Sequence, residues 1–197
     1  MKKLSASYLI FFHLSIFGLL LPTALAAQDL ICEKSICFEG SKKISERALP
    51  LQGVGLLEYL KFDLYTAALY APPSTNSIDA ILADVPKSLV LHYHRNIKKE
   101  WMIKASRNRI KKNSENNSTD LESRLVQLDS AYQNVKKGDR YELRYEPEIG
   151  TSLILNGKLQ STIAGVDFQK AFFGIWLSRL PLNKKLRDHL IRTKSPS

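Results

Sequence analysis

The sequence predicts an α+β domain, a mostly antiparallel sheet with helices packed on one face. Three observations lead there. Tyr141, Leu143 and Tyr145 alternate with charged neighbours at the period of a half-buried strand. Asn156-Gly157 separates two short runs, Thr151 to Leu155 and Leu159 to Ile163, and is the strongest hairpin signal in the chain. Leu121, Leu125, Leu128, Tyr132 and Val135 recur at the spacing of an amphipathic helix.

The remaining elements follow in order. Residues 28–47 are a polar lead-in with room for a short hairpin. Gly53-Val54-Gly55 is a break where glycine permits a bend or a close backbone approach. From Tyr59 to Thr66 polar and apolar residues alternate as in one strand, which continues to Tyr70 and stops at Pro72-Pro73. Ile78 to Leu82 predicts a short helix ending before Pro86, and Leu89 to His94 a strand. Residues 97–112 predict a helix with Ile97, Trp101 and Ala105 on one face. Thr119 and Glu122 have capping-box spacing ahead of the leucine-rich helix. Gly138-Asp139 is a turn. Residues 166–178 are apolar almost all round, the mark of a buried helix, and Asn183 opens a last helix through Leu190.

The first residues predict a route out of the cytoplasm. Lys2 and Lys3, an apolar run from Tyr8 to Leu21, and Ala24-Leu25-Ala26 form the three parts of a secretory signal peptide. The run is short for a membrane span of roughly 20 apolar residues. Cleavage after Ala26 would leave one domain, residues 27–197, with its core over about 48–190. Without Lys2 and Lys3, 27 basic residues stand against 19 acidic, a net of +8. In a periplasmic or secreted protein that charge points away from nucleic acid, and towards an anionic membrane surface, a wall polymer or an acidic small ligand. Cys32 and Cys37 are the two cysteines. In an oxidising compartment they most simply form one local disulfide. Their spacing is wider than that of a redox C-x-x-C pair.

Three segments, taken together, resemble the chalcone isomerase fold family, in particular its bacterial exported chalcone-isomerase-like branch. They are Gly53-Val54-Gly55-Leu56-Leu57 running into Phe62 to Tyr70; Asp84-Val85-Pro86-Lys87-Ser88-Leu89 followed by His94-Arg95-Asn96-Ile97; and Gly150 to Leu177, with Asn156-Gly157, Thr162 to Phe168 and Ala171 to Leu177. The resemblance covers about Ala48 to Leu190. It implies an open-faced sandwich with a cleft between a large sheet and a layer of helices. In the family that cleft holds a flavonoid in the isomerases and a fatty acid in non-catalytic relatives. By family position the cleft residues are Leu57, Tyr65, Thr66 and Arg95. Leu57 occupies the place of the isomerases' arginine, and the stretch Asp120 to Arg124 lacks their tyrosine. Their threonine falls at Tyr65 or Thr66.

Other candidates are weighed against simpler roles. His92 and His94 share a strand face and could share a metal or a haem, yet no third ligand is evident. Eight basic residues and one acid fill Arg95 to Lys112, a solvated helix face or a membrane-binding one. The aromatics Tyr59, Tyr65, Tyr70, Phe168, Phe172, Phe173 and Trp176 read as core, some of them lining the cleft. Asn116 and Asn117 each begin an N-x-S/T sequon. No nucleophile triad, phosphate loop or complete metal motif is present, and no cofactor is expected. The leading expectation is an exported, non-catalytic protein that holds a fatty acid or similar apolar small molecule. An intramolecular lyase or isomerase on a phenolic or lipid substrate, and an envelope or partner-binding protein using the basic helix 95–112, are the alternatives.

Overall fold

The computed structural model describes residues 29–113 and 119–191. The signal peptide over 1–26, the side chain of Thr119 and the sequons at Asn116 and Asn117 lie outside the described residues. Strands β1 (Leu30–Glu33) and β2 (Ile36–Glu39) form a small hairpin. Cys32 faces Cys37 across it, and the two are joined by a disulfide. Strands β3 (Ser41–Ile44), β4 (Arg47–Tyr59), β5 (Phe62–Tyr70), β6 (Lys87–Tyr93), β7 (Arg140–Glu146), β8 (Gly150–Leu155) and β9 (Lys158–Ile163) make one seven-stranded sheet. Each pairs with the next in antiparallel order. Helices α1 (Ile78–Leu82), α2 (Lys99–Asn113), α3 (Thr119–Ala131), α4 (Val166–Leu177) and α5 (Lys184–Leu190) pack with the face that carries Leu57, Tyr65, Leu91, Tyr93 and Leu143.

The helix layer is built on α4. Phe168, Phe172, Phe173, Ile175 and Leu177 are all buried, as an all-apolar helix requires. The opposite sheet face carries a smaller cluster, in which Phe38, Ile44 and Leu49 cover Val54, Ala68, Tyr70 and Val90. The β8–β9 turn has Asn156 at φ 50° and Gly157 at φ 80°, the geometry that the Asn-Gly pair favours.

Two expectations about elements change. The alternation from Tyr59 to Thr66 is not one strand: the chain turns at Leu60 and Lys61, with φ of 49° and 67°, and β5 begins at Phe62. A turn with two positive φ angles and no Gly, Asn or Asp leaves the period-2 pattern intact and gives no signal. In α2 the buried face is Met102, Ser106 and Ile110, four residues apart. Ile97 lies ahead of the helix in a bridge to Val135, and Trp101 is 67% exposed.

Gly53 has the close approach its sequence context implies. A β-carbon there would stand 2.0 Å from the His189 carbonyl oxygen, and one at Gly55 2.9 Å from Leu186 Cδ1. Their absence lets the end of α5 lie directly on β4. Two strands away, near the same end of the sheet, Lys87 is fully buried. Its Nζ donates to the Ala83 carbonyl and to Gln169 Oε1, both at 2.9 Å, and stands 4.6 Å from the Tyr145 ring centre. Gln169 donates in turn to the Leu82 carbonyl, and the Tyr145 hydroxyl to Asp84. One side chain thus ties β6 to α1 and α4.

Burial pushes the Lys87 amine down to about 7 from its usual 10.5, against the opposing pull of Asp84. The unfolded chain then binds the proton that the fold releases between those values. This group therefore makes stability rise as pH rises above about 7. Urea unfolding of wild type and Lys87→Met should show the wild type gaining on the variant from about pH 7 to about pH 9. A constant difference across that range would contradict a neutralised buried amine.

Candidate functional site

Beyond these contacts, towards the β4–β5 hairpin, the two layers part around a cavity of about 400 Å³, a size usual for small-molecule sites. Its floor is the inner sheet face: Leu57 on β4, Tyr65 on β5, Leu91 and Tyr93 on β6, Tyr141 and Leu143 on β7, Leu153 on β8. Period-2 alternation puts these residues on one side, and register brings Leu57 beside Tyr65 and Tyr65 beside Tyr93. The roof is Met102 and Ser106 of α2, Tyr132 just past α3, and Ile175 and Trp176 of α4. The exposed wall residues Glu58, Tyr59, Trp101 and Ala105 mark the opening, between the β4–β5 hairpin and α2.

Hydroxyl groups supply most of the polarity. Tyr65 accepts a hydrogen bond from Trp176 Nε1 at 2.8 Å, and Tyr132 pairs with Ser106 Oγ at 2.9 Å. Tyr93 points its hydroxyl at Met102 Sδ, 3.5 Å away. Tyr141 accepts from the Gln133 backbone N–H at 2.7 Å. Burial pushes the Tyr65, Tyr93 and Tyr132 phenols well above their usual 10, so they are protonated donors at neutral pH. No Lys, Arg or His is among the wall residues.

The expected cleft residues divide. Leu57 and Tyr65 are in the wall, both nearly buried. Thr66, one residue on, faces the other side of the sheet, where its Oγ1 lies 2.8 Å from His94 Nε2. Arg95 is exposed beyond the end of β6, its guanidinium 4.2 Å from the Phe62 ring centre on the β4–β5 hairpin. His92 accepts from Arg140 Nε at 3.2 Å; burial, and then the Arg140 charge, lower its pKa. Among the described residues no three His, Cys, Asp or Glu side chains gather as metal ligands.

Sequence reasoning did not single out Tyr93, Tyr132 and Ser106. Tyr132 is spaced as a core residue, and Tyr93 reads only as one residue of the strand from Leu89 to His94. The predicted α2 face of Ile97, Trp101 and Ala105 does meet the cavity, though at its margin. In α2, Arg107 is held by Glu122 and Asp129, each at 2.6 Å, while Lys104, Lys111 and Lys112, and Lys98 just ahead of the helix, are exposed.

No curated protein matches the chain in sequence. A solved fatty-acid binding protein of Arabidopsis thaliana has the same fold, with a TM-score of 0.65 at 17% identity over 83% of this chain and 96% of that one. A family model described as chalcone isomerase-like matches residues 34–191, nearly all of the described fold. The chain belongs to the chalcone isomerase-like family.

Proposed function

We propose that this is an exported, non-catalytic binding protein that holds an apolar small molecule, a fatty acid or a compound like it, in the cavity. The carrying observation is the wall itself: an apolar space of about 400 Å³, open on one side, with no base or cation among the described residues inside it. Holding a phenolate nucleophile needs a cation, and Leu57 stands where the family's isomerases have one. Abstracting a proton needs a base within hydrogen-bond reach, and the carboxylate among the wall residues, Glu58, is at the exposed rim. Burying an alkyl chain yields about 0.8 kcal/mol per methylene, sufficient for binding without chemistry. The fatty-acid binding protein that shares the fold supports this reading. The Cys32–Cys37 disulfide fits the oxidising compartment that export implies.

Leu57→Trp would fill the space beside Tyr65. It should weaken binding of the neutral apolar dye Nile red at least about tenfold, a loss of about 1.4 kcal/mol, with the circular dichroism spectrum unchanged. A folded variant that binds as wild type does would remove the cavity from the account.

The rim favours a second role, docking on an anionic bilayer. Tyr59, Leu60, Phe62 and Trp101 are 63%, 72%, 55% and 67% exposed beside the opening. Lys61, Arg95, Lys98 and Lys104 are exposed among them or nearby. Aromatic side chains that enter the headgroup region, with cations worth about 1 kcal/mol each at an anionic surface, suit such a membrane. The protein should sediment with vesicles containing phosphatidylglycerol at low salt. Trp101→Ala with Phe62→Ala should abolish this, and neutral phosphatidylcholine vesicles should retain little protein. Equal retention by both vesicle types, or none by either, would contradict the docking role.

A further inference from the structure

Three hydroxyl groups in the cavity wall have protons that the fold does not fully use. Tyr65, Tyr93 and Tyr132 are 6%, 4% and 5% exposed. Tyr65 already accepts from Trp176 Nε1, so its own O–H is left to donate. The acceptor facing the Tyr93 hydroxyl is a thioether sulfur at 3.5 Å, a weak one. Tyr132 and Ser106 share one hydrogen bond, which leaves one of their two protons over. Tyr141, between them, is occupied at the Gln133 backbone. The rings lie together: Tyr65 and Tyr93 centres are 5.6 Å apart, Tyr93 and Tyr141 6.3 Å, Tyr132 and Tyr141 6.1 Å. A buried hydroxyl without a partner costs about 1–3 kcal/mol. A cluster of spare donors in an otherwise apolar space fits an oxygen acceptor on the occupant.

The charge of that acceptor follows from the wall. A carboxylate taken out of water costs several kcal/mol unless a cation or a full set of donors compensates. Among the described residues no Lys, Arg or His lines this space, and the one charged side chain in its wall, Glu58, has the wrong sign. A carbonyl, ester or hydroxyl oxygen loses far less on leaving water and takes the same donors.

We infer that the cavity selects an uncharged oxygen: the polar end of its occupant is an ester, ketone, aldehyde or alcohol that accepts from Tyr65, Tyr93 and the Tyr132–Ser106 pair, in preference to a carboxylate. This rests on the reading of the cavity as an apolar-ligand site and names the class of head group it takes.

A matched series tests it: dodecanoic acid, methyl dodecanoate, dodecanol and plain dodecane, each titrated by displacement of Nile red and by fluorescence of Trp101 and Trp176, which both line the cavity. At about pH 8, where the acid is ionised, the ester and the alcohol should bind about tenfold or more tighter than the acid. The acid should gain affinity as pH falls towards its carboxyl pKa, and the ester should not change. Tyr93→Phe with Tyr65→Phe should reduce the advantage of ester over dodecane at least about threefold and leave dodecane binding in place. An acid that binds at least as tightly as its ester at about pH 8 overturns the inference while leaving an apolar-ligand site standing. Failure of all four compounds, dodecane included, overturns the site itself.

Discussion

The seating of α5 on two glycines of β4 sets the geometry on which the rest depends. Helices normally stand off a sheet by the length of the side chains between them. At Gly53 that separation collapses to backbone against backbone, since even a methyl group would overlap the His189 carbonyl. Near the same end of the sheet, two strands away, Lys87 and Gln169 tie β6 to α1 and α4 through hydrogen bonds. Interiors usually pack to crystal-like density. Here the layers are in close contact near one end of the sheet and stand apart around about 400 Å³ towards the β4–β5 hairpin.

Such a space suits an occupant that can restore the contacts its walls lack. An empty apolar cavity forgoes dispersion contacts over its whole lining, and its lining holds water poorly where polar partners are few. Here the polar partners are gathered in one hydroxyl cluster. That arrangement matches a molecule with a long apolar part and one oxygen. Fold alone does not fix function, and in this site Leu57 supplies apolar volume beside Tyr65.

Much of the fold was legible in the sequence because local pattern and tertiary role agree. Asn156-Gly157 supplies the φ angles its turn uses, the all-apolar run 166–178 is the buried α4, and Leu121 to Leu128 face the core. Where the two part, the reading failed. Leu60 and Lys61 turn the chain with residue types that do not announce a turn. Ile97 ahead of α2 and Trp101 within it line the cavity near its opening, and a serine of α2 is buried instead, because Tyr132 from beyond α3 satisfies it. Lys87 reads as a surface residue until Ala83 and Gln169, the latter 82 positions away, supply its acceptors. Of the site, family position located the floor at Leu57 and Tyr65. It did not locate the roof, whose residues come from helices with no motif of their own. Adjacent residues on a strand face opposite ways, so Thr66 could not share the cavity with Tyr65.

Native mass spectrometry of the protein purified from its own host, under conditions that keep bound lipids, tests the central claim most directly. The account predicts a population carrying one additional mass of an apolar compound with an uncharged oxygen, lost in Leu57→Trp. A protein that emerges empty, and that stays empty after incubation with fatty acids, their esters and their alcohols, would contradict it.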